Sequence, residues 1–179
     1  MNAGRFAAGA IVILAVLAGG AIWWLQEYGY YRAVDFGPGA AELRLMPIVG
    51  EAPEAVPADN ARGIDSDSSP LRFRACFTLP LSQAMLSETY RIYDAPTPLV
   101  GPSSFDCYDA GAIAKALETG EALAFYGEPR PEYGVDRVVA VYPDGRAFAW
   151  HQMNACGTAH YDRRDLPEGC PPPPAEDRN

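Results

Sequence analysis

A group of soft and nitrogen-bearing side chains near the C-terminal end of the sequence has the donor types of a transition-metal site. Its members are His151, Met153, Cys156 and His160. Imidazole, thioether and thiolate ligands together suit copper, so a copper or redox-handling protein is one alternative function. A thiolate ligand requires a free cysteine, however, and Cys170 follows at a spacing that suits a small disulfide loop. We therefore assign no metal site and expect no cofactor.

Nucleophilic catalysis would need a serine or cysteine activated by a neighbouring base, and the chain has two histidines. The serines in or near expected loops are Ser66, Ser68, Ser69 and Ser82. None lies in a GxSxG motif, and the sequence lacks a Walker loop, a GxGxxG fingerprint and a CxxCH haem motif. The sequence assigns no catalytic residue. A hydrolase whose site forms only in the folded chain is a second alternative.

Charge and composition limit the classes of partner. The 179 residues carry a formal net charge of −9, so the chain has no basic footprint for nucleic acid. A hydrophobic fraction of 49% is normal for a packed protein and excludes wholesale disorder. We expect one domain with an appendage and no nucleic-acid partner.

The appendage is an apolar stretch near the N-terminus. Residues 6–26 carry no charge, and about twenty helical residues span the ~30 Å of a bilayer core. A signal peptide cut near Ala18-Gly19-Gly20 is the alternative, but the apolar run continues past that point. The aromatic residues that follow it suit the headgroup zone: Trp23, Trp24, Tyr28, Tyr30 and Tyr31. We predict an uncleaved transmembrane helix over 6–26, with residues 1–5 in the cytoplasm.

The cysteines indicate the compartment of the rest of the chain. All four lie after the apolar stretch, and no CxxC spacing suggests zinc. Two structural disulfides are the economical interpretation, and they need an oxidising environment. Sequential pairing, Cys76 with Cys107 and Cys156 with Cys170, closes the shortest loops. We therefore predict a single-pass inner-membrane protein whose C-terminal domain lies in the periplasm.

The fold expected for that domain is α+β. We predict an interfacial linker over 27–41, the periplasmic domain over 42–170 and a proline-rich tail over 171–179. Alternating apolar residues and turn signals favour an antiparallel sheet of about five strands, with two helices on one of its faces. The expected strands are 42–46, 71–79, 122–126, 135–142 and 146–150, and the expected helices are 82–90 and 110–118. A long surface loop is expected over 50–70.

The strand over 71–79 also carries two arginines. Phe73, Ala75 and Phe77 alternate with Arg72 and Arg74, which places the arginines on the opposite face from the core. An anion site is one interpretation. Pairing with surface carboxylates is the interpretation we favour, because the chain is rich in acidic residues.

Several segments resemble an uncharacterised family of single-span membrane proteins from Rhodobacter-like alphaproteobacteria. The resemblance is carried by residues 133–139 (YGVDRVV), 150–154 (WHQMN), 71–78 and 168–173. It implies a short cytoplasmic start and a periplasmic domain, and it brings no catalytic residues. Some members carry a histidine-kinase label, which this chain contradicts because it lacks a histidine box and an ATP lid.

These observations favour a non-enzymatic role. We expect a membrane-anchored periplasmic protein that serves as an accessory or assembly partner of an inner-membrane complex. The anchor, the disulfide-stapled domain and a proline-rich tail suited to docking in a groove support this expectation.

Overall fold

The computed structural model describes residues 3–36, 42–129 and 132–174. Its first helix, α1, spans Ala3–Trp24 and continues into a π-helical turn over Leu25–Gly29. This segment is long and apolar enough to cross a membrane. No residue of α1 is buried against the rest of the chain.

The ends of three predicted segments lie outside the described residues. Residues 1 and 2 belong to the predicted cytoplasmic tail, 37–41 to the predicted linker and 175–179 to the predicted proline-rich tail.

The domain is built on an antiparallel sheet of eight strands, ordered β1-β4-β5-β8-β7-β6-β2-β3. Every neighbouring pair in this order is antiparallel. The strands are β1 Arg32–Val34, β2 Arg44–Leu45, β3 Glu54–Ala55, β4 Asp59–Asp65, β5 Arg74–Thr78, β6 Leu123–Pro129, β7 Val135–Val141 and β8 Arg146–Met153.

The expectation of about five strands was therefore too low. The additional strands are β1, β3 and β4, which fall in the predicted linker and the predicted surface loop. Two of them have only three and two residues, too few for an alternating pattern to stand out. The third, β4, consists largely of polar or small residues, and its pairing with β5 defines it as a strand.

Three further α-helices pack on the sheet: α2 Gln83–Thr89, α3 Ala110–Glu118 and α4 Ala155–Tyr161. A 3-10 turn over Pro70–Arg72 precedes β5, so the strand predicted over 71–79 begins only at Arg74. Each of the three α-helices begins at a side-chain cap, provided by Ser82, Asp109 and Asn154 respectively. The boundaries of α3 agree with the prediction. The sequence pattern did not predict α4, because its seven residues contain no apolar repeat.

The sheet is buried on both faces. The front core consists of Leu43, Leu45, Val56, Phe73, Ala75, Phe77, Leu79, Leu86, Phe125, Val139, Val141, Ala147 and Ala149. The back core consists of Cys76, Tyr108, Ala110, Ile113, Ala116, Ala122, Ala124, Val138, Ala140, Tyr142, Phe148 and Trp150. Helix α2 contributes to the front core and α3 to the back core, so the two helices do not share one face as expected.

Arg74 shows why the second face of β5 is not solvated. It is 3% exposed, and its guanidinium donates hydrogen bonds to the carbonyls of Leu71, Phe73, Leu99 and Val100. Burial lowers the pKa of Arg74. The expected pairing with surface carboxylates is therefore wrong for this residue, because residues 99 and 100 cover the strand and supply carbonyls instead.

Two disulfides fasten the elements. Cys76 of β5 is bonded to Cys107, just before α3, and Cys156 of α4 is bonded to Cys170. These are the sequential pairs, and none of the four cysteines is free.

Candidate functional site

Three of the four candidate metal ligands, His151, Cys156 and His160, are engaged in other contacts. His151 is fully buried on β8, where its Nε2 accepts a hydrogen bond from Arg137 Nε at 3.0 Å. Its Nδ1 lies 3.0 Å from the carbonyl oxygen of Pro70. An acceptor at Nε2 leaves the proton on Nδ1, so the ring is a neutral donor to that carbonyl. The ring also stacks on Phe73, with centroids 4.6 Å apart.

Cys156 and His160 make contacts of their own that do not involve His151. Cys156 is in a disulfide and cannot supply a thiolate. His160 packs edge-on against Tyr133 and Tyr161. Among the described residues, no three His, Cys, Asp or Glu side chains are placed to hold a metal ion.

The loop serines have structural roles. Ser69 and Ser82 accept hydrogen bonds from backbone N–H groups at the starts of helical turns. Ser66 and Ser68 bond each other through their hydroxyls at 2.8 Å. Neither role places a histidine beside a serine hydroxyl.

The polar centre of the fold is a residue that sequence reasoning did not select. Asp136 of β7 is 5% exposed, and its carboxylate accepts hydrogen bonds from the hydroxyls of Tyr126 at 2.7 Å and Tyr93 at 3.1 Å. The side-chain amide of Asn154 donates a third at 3.0 Å. All three donors are uncharged.

Gln152, opposite Asp136 on β8, fixes the neighbouring loop. Its Nε2 donates to the carbonyl of Ala95 at 3.0 Å, and its Oε1 accepts from the N–H of Thr97 at 2.7 Å. Its Oε1 also accepts from the indole N–H of Trp150 at 3.0 Å. Residues 95–97 are thereby held across the end of the strand.

These contacts form the wall of an open cleft of about 450 Å³. The cleft lies between residues 92–97, β6, the end of β8 and the start of α4. Its lining residues are Ile92, Tyr93, Asp94, Ala95, Thr97, Tyr126, Gln152, Met153, Asn154, Ala155 and Thr158. Of the four candidate metal ligands, only Met153 lines this cleft.

The two tyrosines of the cleft are unsuited to acid–base work at neutral pH. Burial, followed by the influence of Asp136, raises the pKa of Tyr93 and of Tyr126 well above the ordinary tyrosine value. Both phenols therefore stay protonated and donate to Asp136.

A signal for this site was present in the sequence. Asp136 shares a strand face with Val138 and Ala140, and Gln152 shares one with Phe148 and Trp150. A polar residue on a buried strand face requires partners. The two residues lie in two of the four segments that carry the family resemblance, 133–139 and 150–154.

The comparisons with known proteins agree with that resemblance at the level of the family. The model of a family of unknown function, DUF6446, matches residues 43–171, which include the whole cleft. No curated protein and no solved structure matches the chain.

Proposed function

We propose that this chain, which belongs to the DUF6446 family, is a membrane-anchored periplasmic protein that serves as a non-enzymatic accessory partner of an inner-membrane complex. The observation that carries the proposal is the direct attachment of the folded domain to the end of the membrane-spanning helix. A fixed attachment suits a protein that must present one surface at a set height above the bilayer.

The first part of the attachment is a hydrogen-bonded clamp at the end of the helix. Glu27 Oε2 accepts from the hydroxyl of Ser103 at 2.8 Å and from the N–H of Ser104 at 3.3 Å. The hydroxyl of Ser104 donates to the carbonyl of Glu27 at 2.8 Å. The loop before α3 therefore sits against the membrane end of the domain.

The second part is the strand that follows. The guanidinium of Arg72 lies over the rings of Tyr30 and Tyr31, at 5.1 and 5.5 Å from their centroids. Three residues of β1 then pair with β4. The chain thus passes from the helix into the sheet with only a few residues between them, and the end of the helix is held to the domain by these contacts.

The placement in the periplasm rests on the cysteines. Structural disulfides persist in oxidising compartments and are rare in the cytosol, and both pairs lie on the domain side of the helix. The copper and hydrolase alternatives are not favoured, because Cys156 is in a disulfide and the candidate serines serve as caps or bond each other.

The test is purification of the full chain from its own membranes in a mild detergent. We expect a second membrane protein at a fixed ratio. We expect the ratio to fall when the clamp is removed by E27A, S103A and S104A together. A matched control is E88A, because Glu88 is an exposed glutamate on α2.

Purification of the chain without a second protein would contradict the accessory role. A partner that stays bound equally to the clamp variant and to E88A would show that the fixed attachment is not what the partner needs.

A further inference from the structure

The cleft beside Asp136 has the features of a ligand site, and the proposed accessory role does not explain them. We propose that this cleft binds the head of a cationic hydrogen-bond donor, an alkylammonium or a guanidinium group. This ligand site is additional to the proposed accessory function, because it depends only on Asp136 and the residues that line the cleft.

The hydroxyl groups of Tyr93 and Tyr126 have a defined hydrogen-bond direction. A phenol has one hydrogen to donate, and Tyr93 and Tyr126 both direct theirs to Asp136. What each phenol oxygen can still offer is a lone pair. The amide of Gln152 reaches the Tyr93 oxygen only at 3.5 Å, and Tyr126 accepts from no described neighbour. The tyrosines of the cleft therefore present acceptors, which suit a ligand rich in donors.

The charged side chains nearest the cleft include two aspartates, Asp136 and Asp94. The carboxylate of Asp136 is buried behind the tyrosines, and its three donors are neutral. Arg137, the next residue along β7, is on the other face of the strand, with its guanidinium 4.4 Å from the centroid of Phe73. Asp94, an exposed residue of the cleft lining, has the same sign as Asp136. Arg91 also acts on Tyr126, but its guanidinium is directed to the carbonyls of Pro47 and Gly50. Charges act strongly through a low-dielectric wall, so we expect the two carboxylates to favour a cation over an anion in the cleft.

The lining of the cleft combines aromatic rings with exposed apolar side chains. The rings of Tyr93 and Tyr126 lie with centroids 5.6 Å apart, and tyrosine faces attract ammonium and guanidinium groups. Ile92 and Met153 of the lining are 52% and 38% exposed. These side chains provide apolar contact for the alkyl stem that carries such a head group.

The experiment is a titration of the full chain in nanodiscs of neutral lipid with n-butylammonium, n-butylguanidinium, 1-butanol and butyrate. Binding is followed by the resonances of isotope-labelled tyrosine rings. We expect saturable binding of the two cations and none of butyrate. The neutral alcohol should bind at least about tenfold more weakly than the cations.

Three variants identify the groups responsible. D136N removes the buried charge and should weaken cation binding about tenfold. D144N is the matched control, because it removes the same charge from the turn at the far end of the β7–β8 hairpin and should leave binding unchanged. If D136N fails to fold, Y126F tests the same site by removing one acceptor, and it should weaken binding severalfold.

Equal binding of 1-butanol and butylammonium would overturn the proposal. So would equal losses in D136N and D144N, because a general surface effect would then explain the result. If D136N does not fold, unchanged binding in Y126F overturns the proposal in the same way.

A second arm distinguishes the two sources of the cation. A photo-crosslinking residue in place of Ile92, introduced in living cells, captures a partner at a segment containing lysine or arginine if the head group belongs to a protein side chain. Saturable butylammonium binding without such capture assigns the cleft to a free amine. The co-purification experiment tests the accessory role separately. Its failure would leave the result of the titration unaffected.

Discussion

Arg74 and Gln152 fasten the same stretch of chain, residues 95–100, to the middle of the sheet. Gln152 holds residues 95 and 97, and Arg74 holds the carbonyls of residues 99 and 100. A guanidinium has five N–H donors in a rigid fork, which explains how one side chain serves four carbonyls. At the residue scale, these two side chains give an irregular segment a defined path.

We predict that Arg74→Met destabilises the domain by about 3 kcal/mol, because it leaves one buried and three partly buried carbonyls without their donor. Arg74→Lys should recover little of the loss, since an ammonium lacks the planar fork. Chemical denaturation of the full chain in detergent measures both. Arg146→Met is the control. Arg146 makes an exposed ion pair with Asp144, and the control should change stability by no more than about 1 kcal/mol.

Burial raises the pKa of five tyrosines in the folded chain, Tyr90, Tyr93, Tyr108, Tyr126 and Tyr142, and the rise is large for Tyr93, Tyr108 and Tyr126. The folded state therefore holds protons that the unfolded state releases above about pH 10. Stability should be independent of these groups below that pH and should fall as pH rises beyond it.

Denaturation midpoints measured across alkaline pH test this sign. Y126F should show a shallower decline than the parent chain, and a spectroscopic titration should show tyrosines that ionise only on unfolding. A full complement of tyrosinate in the folded chain near pH 10 would contradict the prediction.

At the scale of elements, the sequence predicted the parts of the fold that have strong local signals. Phe73, Ala75 and Phe77 alternate and do form part of the front core. Asp109 and Gly120 mark α3, which begins and ends as expected. The turn at Asp144 and Gly145 joins β7 to β8.

The remaining elements depend on distant partners. Strands β1 and β3 are too short to show a pattern, and β4 is defined by its neighbours in the sheet. The buried state of Arg74 comes from carbonyls 25 and 26 residues away. The candidate site was missed for the same reason, since Tyr93 and Asp136 are 43 residues apart. No local spacing relates them.

Helix α4 approaches β7 through a pair of glycines. A Cβ on Gly134 would meet the backbone of Gly157, and Gly134 has a φ of 72°. We expect Gly134→Ala to destabilise the domain by at least about 2 kcal/mol more than Gly120→Ala. Gly120 is a matched control, because its φ is 73° and a Cβ there meets nothing within 4 Å. Thermal denaturation compares the two, and equal losses would show that the close approach is unimportant.

The two disulfides should contribute similar amounts to stability. They close loops with separations of 31 and 14 residues, worth about 3 to 4 kcal/mol each in the chain-entropy model. We expect the paired substitutions C76A with C107A and C156A with C170A to cost about that much in denaturation. Non-reducing peptide mapping of periplasmically produced protein should recover the same two linked pairs, and any crossed pair would contradict the structure.

At the scale of the whole molecule, contacts of Glu27, Arg72 and β1 join the end of the apolar helix to the domain. No residue of helix α1 is buried against the domain. A helix of this kind can meet lipid on all sides or pack against helices of another protein. The proposed accessory role requires the second arrangement, together with contact through the domain.

The most direct measurement is photo-crosslinking in living cells from two positions on the intact chain. One probe replaces Leu17, in the middle of α1, and the other replaces Val100, which is 82% exposed beside the clamp loop. The account predicts that both probes capture the same inner-membrane protein. Capture of lipid alone from Leu17, with no protein captured from Val100, would contradict it.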